Sequence, residues 1–200
     1  MNQNQMKEEI QLIKQMVEKT KKAYAESWQY FLTWGILVIL AIAGNYILAF
    51  FEVFQWIWIN WIAFMLMGVL YSFFYLRKKE KKQGAKTYSQ IAVGHLCFAC
   101  GIAFMLGGFI FPVLELYSYE VIPIIIALVI GIMLFSMGGI YEWGLLKWGG
   151  VIWWLGSVVM IFVPWQQRAL IYIPLIIFGY LVPGFILRSQ YQKEIIQNGS

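Results

Sequence analysis

The sequence predicts an all-α polytopic membrane protein with six transmembrane helices arranged as three hairpins, both termini in the cytoplasm, and an amphipathic cytoplasmic helix at the N-terminus. Three observations predict it. The 200 residues are 61% hydrophobic and 12% charged, with a mean hydropathy of +0.68, which lies outside the range of soluble globular domains. Six stretches carry no Asp, Glu, Lys or Arg: residues 27–51, 53–76, 87–114, 121–141, 148–167 and 169–187. When those stretches are threaded alternately through a bilayer, fourteen of the fifteen basic residues fall on one side.

The uncharged stretches are 25, 24, 28, 21, 20 and 19 residues long. At about 1.5 Å of rise per residue, each crosses a hydrocarbon core of roughly 30 Å as a helix. Strands would need only about ten residues and would alternate in polarity, which excludes a barrel. The expected spans are 27–51, 53–76, 87–112, 121–141, 145–164 and 169–188, preceded by a cytoplasmic helix over 1–26 and followed by a tail over 189–200. The first 26 residues hold four Glu and five Lys, too many charges over too great a length for the n-region of a cleaved signal.

Orientation follows from the basic residues. Five lie in the N-terminal segment, six in 77–86, then Lys147, Arg188 and Lys193, against Arg168 alone on the opposite side. That asymmetry assigns the first group to the cytoplasm. The formal net charge of +5 is then a topology signal aided by anionic lipid. The run RKKEKK sits next to a span with no reading module beside it, so nucleic acid is not an expected partner.

Within residues 1–26, Met6, Ile10, Ile13, Val17, Thr20 and Tyr24 recur at alternating spacings of four and three, with Glu8, Lys14, Lys21 and Lys22 elsewhere. The pattern predicts an amphipathic helix that lies on the membrane, dimerises or docks on the cytoplasmic loops. The last four spans also suggest a repeat, with 110–134 laid beside 161–187 so that Pro112 meets Pro164 and Pro123 meets Pro174. Each proline is expected at a span end or in a first turn, where its missing donor matters least. Pro183 and Gly184 differ, because they fall inside the sixth span and form a candidate hinge. Most of the ten Trp residues, among them Trp28, Trp34, Trp56, Trp58, Trp61, Trp143, Trp148 and Trp165, fall near span ends as an interfacial belt. Trp153 and Trp154 lie deeper and read as packing or lipid-facing residues.

Asp is absent from the chain, and away from the span ends the strongly polar side chains are Asn45, Asn60 and His95. Proton transfer and metal binding at membrane depth need ionisable groups, so no catalytic, cofactor or metal site is expected. Asn45 and Asn60 lie at similar depth on adjacent antiparallel spans and are expected to hydrogen-bond, with a polar pocket as the other reading. His95 shares a face with Ala99, Ala103 and Gly107 at spacings of four, so it is expected to point into the bundle along a helix-packing face. A packing histidine and a proton- or ligand-sensing one are both compatible with that position. Cys97 and Cys100 form a CxxC inside a span, their thiols turned well away from His95 around the helix, and read as packing residues. Glu52, Glu115 and Glu120 mark the external water boundary, and Glu142 with Lys147 the last cytoplasmic turn.

The chain resembles a family of functionally uncharacterised bacterial six-helix inner-membrane proteins of similar length. The likeness is carried by EEIQLIKQMVEKTKKAY at 8–24, ahead of a glycine-containing first span, and by IYEWGLLKWGGVIWWLGSVVMIFVPWQQRALIYIPLIIFGYLVPGFILRSQYQ at 140–192. In the second segment the marks are an acidic residue in the turn, glycines before and within span five, a proline at its external end and a glycine late in span six. A fainter similarity, in the three-hairpin layout alone, is to the acid-resistance six-helix membrane proteins. The resemblance implies a multi-pass protein of the bacterial inner (plasma) membrane, and the family's members are often encoded beside a winged-helix regulator, which points to envelope physiology or sensing. Family members often carry a Glu in span five and a His in span six, and the matching positions here are Ile152 and Tyr180. An activity resting on that pair is therefore not expected of this chain.

The function expected from all of this is non-enzymatic: a scaffold, sensor or modulator in the bilayer whose 1–26 segment meets a cytoplasmic protein, a membrane protein or a second copy. The alternative is a carrier or channel for a small neutral or lipid-like solute.

Overall fold

A computed structural model describes residues 28–80 and 88–186, together with Gln11 and Ser189. Apart from Gln11 and Ser189, the segment 1–26, expected to be an amphipathic helix, and the C-terminal tail lie outside the described residues, as does most of the basic loop. Those that are described form helices and turns with no strand among them, and six of the helices are long and apolar enough to cross a membrane.

Helix α1 runs from Trp28–Phe50 and α2 from Ile57–Glu80, after a single 3-10 turn at Phe54–Trp56. Helix α3 covers Tyr88–Met105 and is prolonged by a π turn, Leu106–Ile110, and a last turn, Phe111–Val113. Helix α4 is Ile122–Ile140 and α5 is Gly144–Val159, closing in a 3-10 turn at Met160–Phe162. Helix α6 begins at Trp165–Ile176, passes through a second π turn at Ile177–Leu181, and remains helical to Ile186. It therefore starts before Arg168, the charge expected to precede it. Pro164 sets the entry, and Arg168 turns back from the first turn, its Nε donating to the Val163 carbonyl at 3.1 Å and its Nη1 to that of Glu120 at 2.6 Å. With both bonds made to backbone, the cation sits inside a helix instead of ahead of it.

Three helix ends share one device. After α1, α3 and α4 the chain turns through Glu52, Glu115 and Glu142, each in the left-handed region with φ of 58°, 58° and 53°. At each, two amides reach back to the helix: Val53 to Leu48 and Glu52 to Ala49, Leu116 to Phe111 and Glu115 to Pro112, Trp143 to Gly138 and Glu142 to Gly139. This is the Schellman arrangement, whose left-handed position is normally glycine. Glutamate there is doubly disfavoured, by its Cβ and by a carboxylate at the negative end of a helix.

Helix α1 packs on α2 and on α6, α5 packs on α6 and α4, and α3 packs on α4. The most buried of the six is α5, where Leu146, Trp153 and Met160 point inward. Lipid offers no hydrophobic reward for bringing two helices together, so association depends on close packing through small residues. That is what α5 supplies on two sides. Towards α4, a Cβ at Gly150 would lie 2.7 Å from the Gly131 carbonyl oxygen, and one at Gly138 2.7 Å from the Lys147 nitrogen. Towards α6, a Cβ at Gly149 would lie 2.8 Å from the Gly179 oxygen, and one at Gly156 2.4 Å from Leu175.

Two predictions follow from the packing and the turns. Gly150→Ala is expected to lower stability by about 1–3 kcal/mol through overpacking, whereas Gly139→Ala, whose Cβ would meet nothing within 4 Å, is expected to be neutral or mildly stabilising. Denaturant titration in micelles, followed by circular dichroism, reads the difference. By the same assay, Glu115→Gly is expected to stabilise by about 0.5–1 kcal/mol, through relief of the left-handed strain net of the extra chain entropy.

Candidate functional site

Three places collect the polar, histidine and proline features of the chain. The first is the seam between α1 and α2. Asn60 Nδ2 donates to the Asn45 side-chain oxygen at 2.8 Å and to the Ala41 carbonyl at 2.9 Å. Gly44 makes room for it, since a Cβ there would lie 2.6 Å from Asn60 Oδ1. A second bond crosses the same seam, where Trp34 Nε1 donates to Ser72 Oγ at 3.0 Å, and Ser72 in turn donates to the Gly68 carbonyl at 2.7 Å. Both amides and the hydroxyl are engaged in holding the two helices, which is a structural use of the only asparagines in the spans.

The second place is α3. Gly107 is buried against Ile125, where a Cβ would lie 2.9 Å from the isoleucine methyl. His95 and Ala99 are exposed, and Ala103 is half-buried. The expectation that His95 points into the bundle is therefore corrected. The buried edge of α3 runs through Val93, Cys100 and Gly107, seven residues apart, and His95 lies off it. Small residues surround α3 on every side, so spacing by four selected one face where spacing by seven describes the contact. The His95 ring turns back on its own helix, with Nδ1 2.9 Å from the Ile91 carbonyl. A carbonyl only accepts, so Nδ1 is the donor in this contact. Cys97 and Cys100 are both free, the first half-buried and the second buried. No three His, Cys or Glu side chains come together as metal ligands among the described residues.

The third place is the candidate hinge in α6. Pro183 and Gly184 are both buried, Gly184 lying beside Phe31 and Leu32 of α1. The turn before them is a π turn, closed by the Val182 amide on the Ile177 carbonyl. Helix α3 has the same construction: LGGFIFP at 106–112 matches IFGYLVP at 177–183, with glycine third, an aromatic fourth and proline seventh. The likeness links Pro112 with Pro183, not with Pro164, which stands at the entry to α6. Pro174 also departs from expectation, since it lies inside α6 and not in a first turn.

In a π turn each carbonyl takes the amide five residues on, and a proline at that position has no N–H to give. In α3 the carbonyl so affected is that of Gly107, and the Tyr117 hydroxyl donates to it. Burial also raises the pKa of this phenol above its ordinary value. In α6 the matching carbonyl is that of Phe178. Against the next residue of the same turn, Gly179, lies Trp153, 2% exposed, whose Nε1 is the one buried side-chain nitrogen or oxygen without a hydrogen-bond partner among the described residues. A Cβ at Gly179 would lie 2.7 Å from that nitrogen, so the indole edge rests on the π turn itself. An unmet buried donor of this kind costs about 1–3 kcal/mol. The sequence placed Trp153 among packing or lipid-facing residues. The sign that distinguished it was the repeated glycine, aromatic, proline spacing.

Fold and composition define a class: an all-helical chain with six helices long and apolar enough to cross a membrane. No protein-family model, no curated protein and no solved structure matches this chain.

Tyr117→Phe is expected to lower stability by about 1–2 kcal/mol, because it leaves the Gly107 carbonyl without its donor. Asn60→Leu is expected to lose a similar amount at the α1–α2 seam. Parallel denaturation of the two variants in micelles checks both, and a loss near zero for Tyr117→Phe contradicts its role as donor.

Proposed function

We propose that this protein is a non-enzymatic integral membrane protein of the bacterial inner membrane that works by association, as a scaffold, sensor or modulator. Its six helices cross the bilayer as three hairpins with both termini in the cytoplasm, the arrangement favoured by the lysine and arginine asymmetry. The observation that carries the association reading is the unfilled side of α3. Gly94 and Gly101 lie seven residues apart, and a Cβ on either would meet nothing within 4 Å. The neighbouring α2 is also little covered, with 6% of its apolar window buried. Glycine on an open helix face lets a second helix approach closely, so a transmembrane partner, a second copy included, has a place to pack. The amphipathic 1–26 segment is assigned to a cytoplasmic or membrane-surface contact of the same assembly.

In native membranes, photo-crosslinking from Phe98 is expected to trap a partner that Gly94→Leu together with Gly101→Leu abolishes. Gly139→Leu, which fills an open position on α4, is expected to leave the partner in place. A crosslinked set unchanged by the α3 variants, and unchanged again by removal of residues 1–24, overturns the association reading.

A second reading, a carrier or channel for a small neutral or lipid-like solute, is favoured by one observation, the π turn and Pro183 of α6. It requires solute flux in proteoliposomes that falls when Pro183, His95, Asn45 or Asn60 is replaced, and flux indifferent to all four removes it.

A further inference from the structure

We propose that the last third of α6 is a two-state element, and that the indole N–H of Trp153 is the group that distinguishes its states. In the state seen here the turn Ile177–Leu181 is a π turn, and the Trp153 N–H lies against Gly179 with no acceptor. In the other state a carbonyl of the same turn accepts that N–H.

Four observations support it. The donor is buried and unmatched at the centre of the bundle. The acceptors at hand are unusual, because Pro183 offers no amide to the carbonyls of Phe178 and Gly179, five and four residues before it. The Gly179 oxygen lies against Gly149, where a Cβ would be 2.8 Å away, and Gly149 is one turn before Trp153 on the same face of α5. Donor and carbonyl thus share one seam, one helical turn apart. The sister turn in α3 shows the completed arrangement, in which the affected carbonyl of Gly107 receives the Tyr117 hydroxyl. Helix α6 has the same turn and a donor in place, but not the bond.

The movement that joins them is local. A π turn holds an extra residue compared with an α turn, and resolving it turns the chain beyond by about 100°. Glycine at 149 and at 179 leaves the seam free of Cβ atoms that would block such a rotation. At the end of the turn, Leu181 packs on Gly35 and the Tyr180 ring lies 5.0 Å from that of Phe31, and beyond it Gly184 faces Phe31 and Leu32. The first turns of α1 must therefore shift when the end of α6 rotates. The device couples the centre of the bundle to the start of α1.

Fluorine NMR of the full chain, labelled with 5-fluorotryptophan and held in lipid nanodiscs, tests it. Trp153→Phe identifies the Trp153 resonance by its loss. The unmutated protein is expected to show two Trp153 signals joined by exchange, or one with relaxation dispersion, and Pro183→Ala to reduce them to a single signal without dispersion. Tyr117→Phe, which alters the turn in α3, is expected to leave the Trp153 signals unchanged. A single Trp153 signal without dispersion in the unmutated protein overturns the proposal whether or not Pro183→Ala folds. Two signals that persist unaltered in Pro183→Ala overturn it as well.

Discussion

The contact on which the rest of this structure depends is the approach of α5 to its two neighbours without side chains between them. Gly150 faces the backbone of Gly131 on one side, and Gly149 faces the backbone of Gly179 on the other. In water such a contact would be a minor addition to apolar burial. In hydrocarbon, where burial against lipid and burial against protein differ little, it is the main source of specificity. The close approach leaves large side chains to fill what remains. Trp153 does so towards α6, its ring 5.4 Å from that of Tyr172, and Leu146 and Trp154 do so towards α4, with the Trp154 indole N–H reaching the Leu128 carbonyl at 3.3 Å.

Helices further from α5 are held by fewer and more polar contacts. Helix α2 relies on α1, through the Asn45–Asn60 amide pair, the Trp34–Ser72 bond and the two glycines that admit them, Gly44 and Gly68. Helix α3 packs along one edge and leaves another open. The molecule is therefore graded, from a glycine-fitted centre at α4, α5 and α6 to a periphery of exposed apolar faces. At depth the two asparagines join α1 to α2, whereas His95 turns back on its own helix.

Much of the architecture was legible in the sequence because charge is so costly in hydrocarbon. The uncharged stretches mark the six helices within a few residues, and the exceptions have local causes, such as Arg168 bonding back to carbonyls from inside α6. The Asn45–Asn60 contact was legible for a related reason, since counting residues from the shared turn fixes depth. What could not be read was azimuth. Helix α3 has glycine, alanine or cysteine all round, so no spacing rule selects its buried edge, and His95 was assigned to the wrong side. The π turns were also hidden, because one extra residue in a helix leaves no mark on hydropathy. Only comparison of 106–112 with 177–183 shows that Pro112 and Pro183 play the same part. The glutamates at left-handed positions ran against the rule that assigns that conformation to glycine, and looked in sequence like ordinary boundary charges.

The most direct test of this account is an experimental density map of the full chain in a lipid nanodisc, resolved well enough to trace side chains at the seam between α5 and α6. The account predicts the Gly179 carbonyl in contact with the α-carbon of Gly149 and the Trp153 ring resting on the turn beside it. Helices α5 and α6 held apart by a layer of side chains or lipid at that level would contradict it.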